Sequence, residues 1–151
     1  MIYTSKIIQH CELLAESFYK ITGKKLVKEN LTGEELAKVL YNGPFVLVSH
    51  GIEKDPIFNF ANLKAQELWE MSWEEFVKTP SRLSAEPVAQ SERQELLDKA
   101  QKHGYISDYK GVRISKSGKR FQIIDTILWN LKDSEGNYKG QAAVFDTWKF
   151  L

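Results

Sequence analysis

The last third of the chain constrains the fold most. Residues 105–115 and 121–131 are two long segments rich in β-branched and aromatic residues, parted only by Lys116-Ser117-Gly118-Lys119. A third such segment, 138 to about 148, follows the turn at 133–137, which contains Gly136. These linkers are hairpin turns, too short for the crossover that parallel strands need. The chain must therefore close with an antiparallel meander. Residues 45–49 and 57–60 are short apolar runs around a turn at 50–55, which adds two strands and brings the expected sheet to five.

Helical signals occupy the remaining segments. Ile7, Cys11, Leu14 and Phe18 recur on one face of a helix over 5–20, with Gly23 as its stop. Thr32 and Glu35 form a capping-box pattern before Leu36, Val39 and Leu40, and Asn42-Gly43-Pro44 ends that helix. Asn62 caps a helix over 63–70, and Ser72 with Glu75 forms a second box. Residues 80–87 read as irregular. Ser91 with Gln94 forms a third box, opening a helix that runs to His103 and is closed by Gly104. Helices segregated between strands must cover one face of the sheet. The expected fold is one α+β domain over 1–151. Two N-terminal helices (about 1–43) precede a core of about 44–148, in which short helices cover the inner face of a five-stranded antiparallel sheet.

Charge narrows the partners. Formal net charge is +1, without the basic excess expected of a nucleic-acid binder. Lys20, Lys24, Lys25 and Lys28 cluster, but Glu29, Glu34 and Glu35 follow at once, so a solvated surface is expected there. The single cysteine, Cys11, excludes an intrachain disulfide and paired-cysteine zinc sites, and fits a reducing, cytoplasmic compartment. The longest aliphatic or aromatic run, 45–48, is far short of a membrane span, and the N-terminus lacks a signal-peptide apolar region.

From Pro44 onward the order of elements resembles a PAS domain, and the chain is similar to the MEKHLA domain family, a PAS-like group. The residues that carry the resemblance include Val48-Ser49-His50-Gly51, Asp55-Pro56-Ile57-Phe58-Asn59, Glu67-Leu68-Trp69-Glu70-Met71 and Pro80-Ser81-Arg82-Leu83. Further along they include Gly111-Val112-Arg113-Ile114, Trp129-Asn130-Leu131 and Gly140-Gln141-Ala142-Ala143. The resemblance implies a PAS fold with a sensing or protein-contact role and carries over no defined activity.

It also frames the cofactor question, because PAS-like domains include the LOV photoreceptors. Alignment with their flavin-contacting helix puts Ser81 where the adduct-forming cysteine stands, and a serine hydroxyl cannot supply that thiolate. Their flavin-contacting asparagines fall at Arg113 and Ile123 and their glutamine at Val144, so the amide contacts to the flavin edge are lost. A covalent flavin adduct is therefore argued against. Haem is disfavoured as well, because His103 at a helix C-terminus is explained by the macrodipole. No metal-ligand cluster, nucleophile elbow, P-loop or dinucleotide fingerprint is present in the sequence.

The candidate site lies on the inner sheet face. Alternation puts Phe121, Ile123, Asp125, Ile127 and Trp129 on one side of their strand, and mostly apolar neighbours point that side inward. The PAS resemblance puts Arg113 beside them. An inward charge needs a partner. The expectation is therefore an Arg113–Asp125 pair, Asp125 bonded to a helix cap, or a polar ligand, with Arg82 reaching across so that it and Arg113 bind a carboxylate or phosphate. Trp69, Trp129, Tyr109 and Ile123 complete the candidate ligand-binding set. The leading expectation is a non-catalytic sensor that binds an unidentified small molecule and signals by contact, through the N-terminal helix or the last strand. The alternatives are a protein-interaction module, dimerising through the first helix or the outer sheet face, and an enzyme using Asp125 or His50 as base.

Overall fold

The protein is described by a computed structural model over residues 2–151, without the side chains of residues 87–90, 93 and 101. Two N-terminal helices, α1 (Ser5–Thr22) and α2 (Gly33–Asn42), lead into β1 (Val46–His50) and β2 (Phe58–Ala61). Then come α3 (Leu63–Trp69), α4 (Trp73–Phe76), a 3-10 turn (Ser81–Ser84) and α5 (Pro87–His103). The chain finishes with β3 (Tyr105–Ile114), β4 (Arg120–Lys132), β5 (Tyr138–Phe145) and β6 (Thr147–Phe150). The sheet is antiparallel throughout, in the order β2-β1-β5-β4-β3, with β6 also paired to β4.

Local chemistry sets most boundaries. Ile7 N donates to Thr4 Oγ1 at 3.2 Å to open α1, and Gly23 closes it in the left-handed conformation. The Ser72–Glu75 capping box forms in full at α4. Thr32 makes no side-chain cap bond, although α2 starts directly after it. The expected start of α5 at Ser91 is a turn too late. The helix begins at Pro87, whose fixed φ and missing N–H suit a first turn.

Two departures in the sheet share one cause. Asp125 has a φ of 50°, left-handed backbone inside a strand. Phe121 and Ile123 point to the inner core, as expected. The bulge at Asp125 then shifts the parity, so Leu128 faces inward while Ile127, Trp129 and Leu131 join the outer core. Opposite the bulge, the expected last strand breaks at Asp146 into β5 and β6, which makes six strands rather than five. Aspartate tolerates this backbone better than a β-branched residue does. Asp125→Val is expected to cost about 1–2 kcal/mol and Asp125→Gly about 0.5 kcal/mol or less, as measured by urea unfolding.

The N-terminal helices cover the outer sheet face. Leu47, Phe60, Trp129 and Leu131 of the sheet pack against Cys11, Leu14 and Phe18 of α1 and against Leu36 and Leu40 of α2. The apolar face of α1 is thus buried on its own sheet. Burial, with a smaller push from Glu12, raises the Cys11 thiol to about 12, so it is an inert core residue. Among the described residues no helix is long and apolar enough to cross a membrane.

Candidate functional site

The inner face of the sheet is covered by α3, α4 and α5, and rings fill most of the space beneath them. Trp69 meets Phe121, Phe76 and Phe145 edge to face at centroid distances of 5.1, 5.9 and 6.3 Å. A cavity of about 40 Å³ is left between the sheet, the 3-10 turn and α5. That is room for roughly three water-sized atoms at about 10–15 Å³ each. Val48, Ile123, Leu128 and Leu97 give it apolar walls, while His50, Ser84, Arg113 and Gln141 supply polar groups.

Each polar group is held from behind. His50 Nδ1 donates to Gly51 O at 2.9 Å. Ser84 Oγ donates to Ser81 O at 2.8 Å. Gln141 Nε2 donates to Leu97 O at 2.9 Å and to Asn130 Oδ1 at 3.2 Å, tying β5 to α5. Arg113 is 6% exposed and donates from Nη1 to Val112 O at 2.9 Å and from Nη2 to the Tyr109 hydroxyl at 3.1 Å. Gly111 makes that second bond possible, since a Cβ there would lie 2.2 Å from the Tyr109 hydroxyl oxygen. Beyond Arg113, the β3–β4 turn clasps α3. Lys116 N donates to Trp69 O at 3.0 Å and Ser117 N to Glu70 Oε1 at 3.1 Å. Hydrogen bonds from Ser115 and Ser117 hold the Glu70 carboxyl down at about 2.

The residues singled out in the sequence divide sharply. Arg113, Ile123 and Trp69 line the cavity, and Tyr109 supports Arg113. Asp125 does not face the core or pair with Arg113, because the bulge leaves its side chain exposed on the surface. Trp129 is fully buried on the opposite side of the sheet, stacked edge to face on Phe18 at 4.8 Å. Arg82 does not reach across to Arg113. It is half-exposed and bonds Asp55 from Nε at 3.2 Å. Val144, aligned with the LOV glutamine, belongs to the outer core, and the inward residues of β5 are Gln141, Ala143 and Phe145. Sequence reading missed Gln141 as a site residue, although its alternation with Ala143 and Phe145 was the available signal.

A second, wider opening of about 880 Å³ lies between α1 and β2, lined in part by Ile7, His10, Asn59, Phe60 and Trp73. Ser49 Oγ donates to Asn59 Oδ1 at 2.5 Å, so His10 Nε2, 2.8 Å away, donates to Ser49. Nucleophile activation needs the reverse, an imidazole that accepts the hydroxyl proton. Among the described residues no group of three or more His, Cys, Asp or Glu side chains is placed to hold a metal ion.

The fold is that of PAS domains. The chain is similar to the PAS domain of a Colwellia psychrerythraea protein, at 13% identity and a TM-score of 0.65 over 78% of this chain and 95% of that one. It is also similar to a light-oxygen-voltage domain studied with a flavin analogue, at 18% identity and a TM-score of 0.61 over 78% and 84%. An RNA-binding light-oxygen-voltage receptor aligns at 11% identity and a TM-score of 0.60, over 78% of this chain and 36% of the receptor. No curated protein matches. Ser81, 2% exposed, carries no thiol for a covalent flavin adduct, and with Trp69, Phe121 and Phe145 crowding the space to about 40 Å³ the residues present do not fit an isoalloxazine ring. Haem lacks its expected ligand, since His103 ends α5 with an exposed side chain. The MEKHLA domain model matches residues 8–150, nearly the whole length, and the chain belongs to the MEKHLA domain family with a PAS-like fold.

Proposed function

We propose that this domain is a non-catalytic sensory module that takes a small molecule into the cavity between the sheet and α5. The observation that carries this reading is the convergence of His50, Ser84, Arg113 and Gln141, all buried, on one small and largely apolar chamber. Few polar groups in an apolar enclosure is the usual make-up of a ligand site. Output runs through α1. Strand β1 presents Val48 and His50 to the cavity, and Ser49 between them bonds His10 of α1 at 2.8 Å. A shift in β1 on ligand binding therefore reaches α1 through one hydrogen bond and the shared outer core. The lone Cys11 fits work in a reducing cytoplasm.

The test is to denature the purified protein and analyse the released small molecules by mass spectrometry. A molecule in stoichiometric amount is the expected result. A protein that releases nothing and is dimeric by light scattering would overturn the reading in favour of an interaction module.

A further inference from the structure

Arg113 is a buried cation that has no counter-charge among the described residues. Its guanidinium donates to two neutral oxygens, Val112 O and the Tyr109 hydroxyl, and the Tyr109 ring centroid lies 5.5 Å from its guanidinium carbon. Among the described residues no carboxylate lies within 4.0 Å of it. The acids on β3, on β4 and just before α5 are exposed or engaged elsewhere. Asp125 and Asp108 are exposed, and Glu86 pairs with Arg120 at 2.5 Å. A buried lysine would relieve such a position by losing its proton, whereas a guanidinium stays charged. It also has more N–H donors than these two bonds use. The missing charge must come from outside the chain or the position costs stability.

The cavity that Arg113 lines sets the form of that charge. At about 40 Å³ it admits only a few heavy atoms. A planar carboxylate offers two oxygens to the guanidinium fork and turns a short apolar end toward Val48, Ile123 and Leu128. A phosphate would carry more charge than one guanidinium balances and would push further oxygens against apolar walls. Resting on the ligand-binding reading above, we propose that the cavity binds a small monocarboxylate of about acetate size as the counter-ion of Arg113.

The full-length protein, freed of carboxylate buffers, would be titrated with acetate, with acetamide as the neutral isostere, and with inorganic phosphate. Thermal unfolding and tryptophan fluorescence, to which Trp69 at the cavity wall contributes, give the readouts. Acetate is expected to raise the melting temperature saturably, with acetamide and phosphate giving no shift. Arg113→Met is expected to melt above the native protein without acetate and to lose the acetate response. Arg113→Gln, which keeps a polar donor, is expected to weaken acetate binding roughly tenfold or more. An acetamide shift equal to that of acetate would overturn the charge assignment and leave the ligand-binding reading standing. An equal phosphate shift would replace carboxylate by inorganic anion. An acetate response unchanged in both variants, or absent from the native protein, would overturn the proposal outright. The ligand-binding reading falls separately, when the denatured protein releases no small molecule and the native protein is dimeric by light scattering.

Discussion

Asn62→Asp is expected to cost the domain about 4 kcal/mol of stability at neutral pH, read by urea unfolding. Asn62 is fully buried where α2, β1 and α3 meet. Its Oδ1 accepts from Leu47 N and Ala65 N, both at 3.1 Å, and its Nδ2 donates to Leu40 O at 3.1 Å and Phe45 O at 2.8 Å. Aspartate preserves the two accepted bonds and replaces the donor by an oxygen that faces two carbonyls. The variant must then bury a repelled charge or take up a proton. Asn62→Ala removes the repulsion and takes the Asn62 side chain away from four backbone groups, of which the Phe45 carbonyl is only part-buried, at about 1–3 kcal/mol for each one that water cannot reach. Both variants are expected to be strongly destabilised, with Asp the worse at neutral pH and improving toward acid as its carboxyl protonates. Equal stability of Asn62→Asp and the native protein would show that the junction is not held as described.

Asn62 also marks how far sequence reading extends. Its cap on α3 was legible, because Asx residues before an apolar helix announce an N-terminus. Its bonds to Leu40 and Phe45 were not, because they depend on where α2 packs. The same boundary runs through the sheet. The hairpin turns and the alternation of Phe121 and Ile123 were legible, and Arg113 fell on the inner face as the family registry implied. The parity shift at Asp125 was hidden, because aspartate in a strand reads equally as a surface residue, a buried partner or a bulge. One residue of slip sends every later side chain to the other face. That slip moved Trp129 out of the expected site and left Arg113 without its expected partner. Arg82 was misplaced for a related reason. Loop geometry decides which charge a loop arginine meets, and here Asp55 lies closer than the cavity.

The second large effect is an acid weakness centred on α1. Burial, and to a smaller degree the Lys6 charge, push His10 from the ordinary 6.5 down to about 4. A depressed histidine stays neutral in the folded chain while the unfolded chain takes up the proton. Its contribution is therefore complete above about pH 6.5 and is lost as pH falls toward 4. At about 1.4 kcal/mol per unit, the expected loss across that window is about 2–3 kcal/mol. Glu70, Glu75 and Asp133 are also depressed, and their losses fall in the same direction but begin only near and below the ordinary carboxyl range. Over the interval from about pH 6.5 to 4.5 these carboxyls contribute little, so the difference between the native protein and a His10 variant there isolates the His10 share. Lys6, Glu53 and Lys139 line the same opening, so the slope should respond to salt. His10→Gln can still donate to Ser49 and cannot titrate. It is expected to flatten the stability profile over this interval while leaving stability at pH 8 nearly unchanged. Protonation leaves the Nε2–H donation to Ser49 in place, so the loss comes from charging a buried ring and not from breaking the proposed link between cavity and α1. A profile that keeps its slope in His10→Gln would place the acid weakness elsewhere.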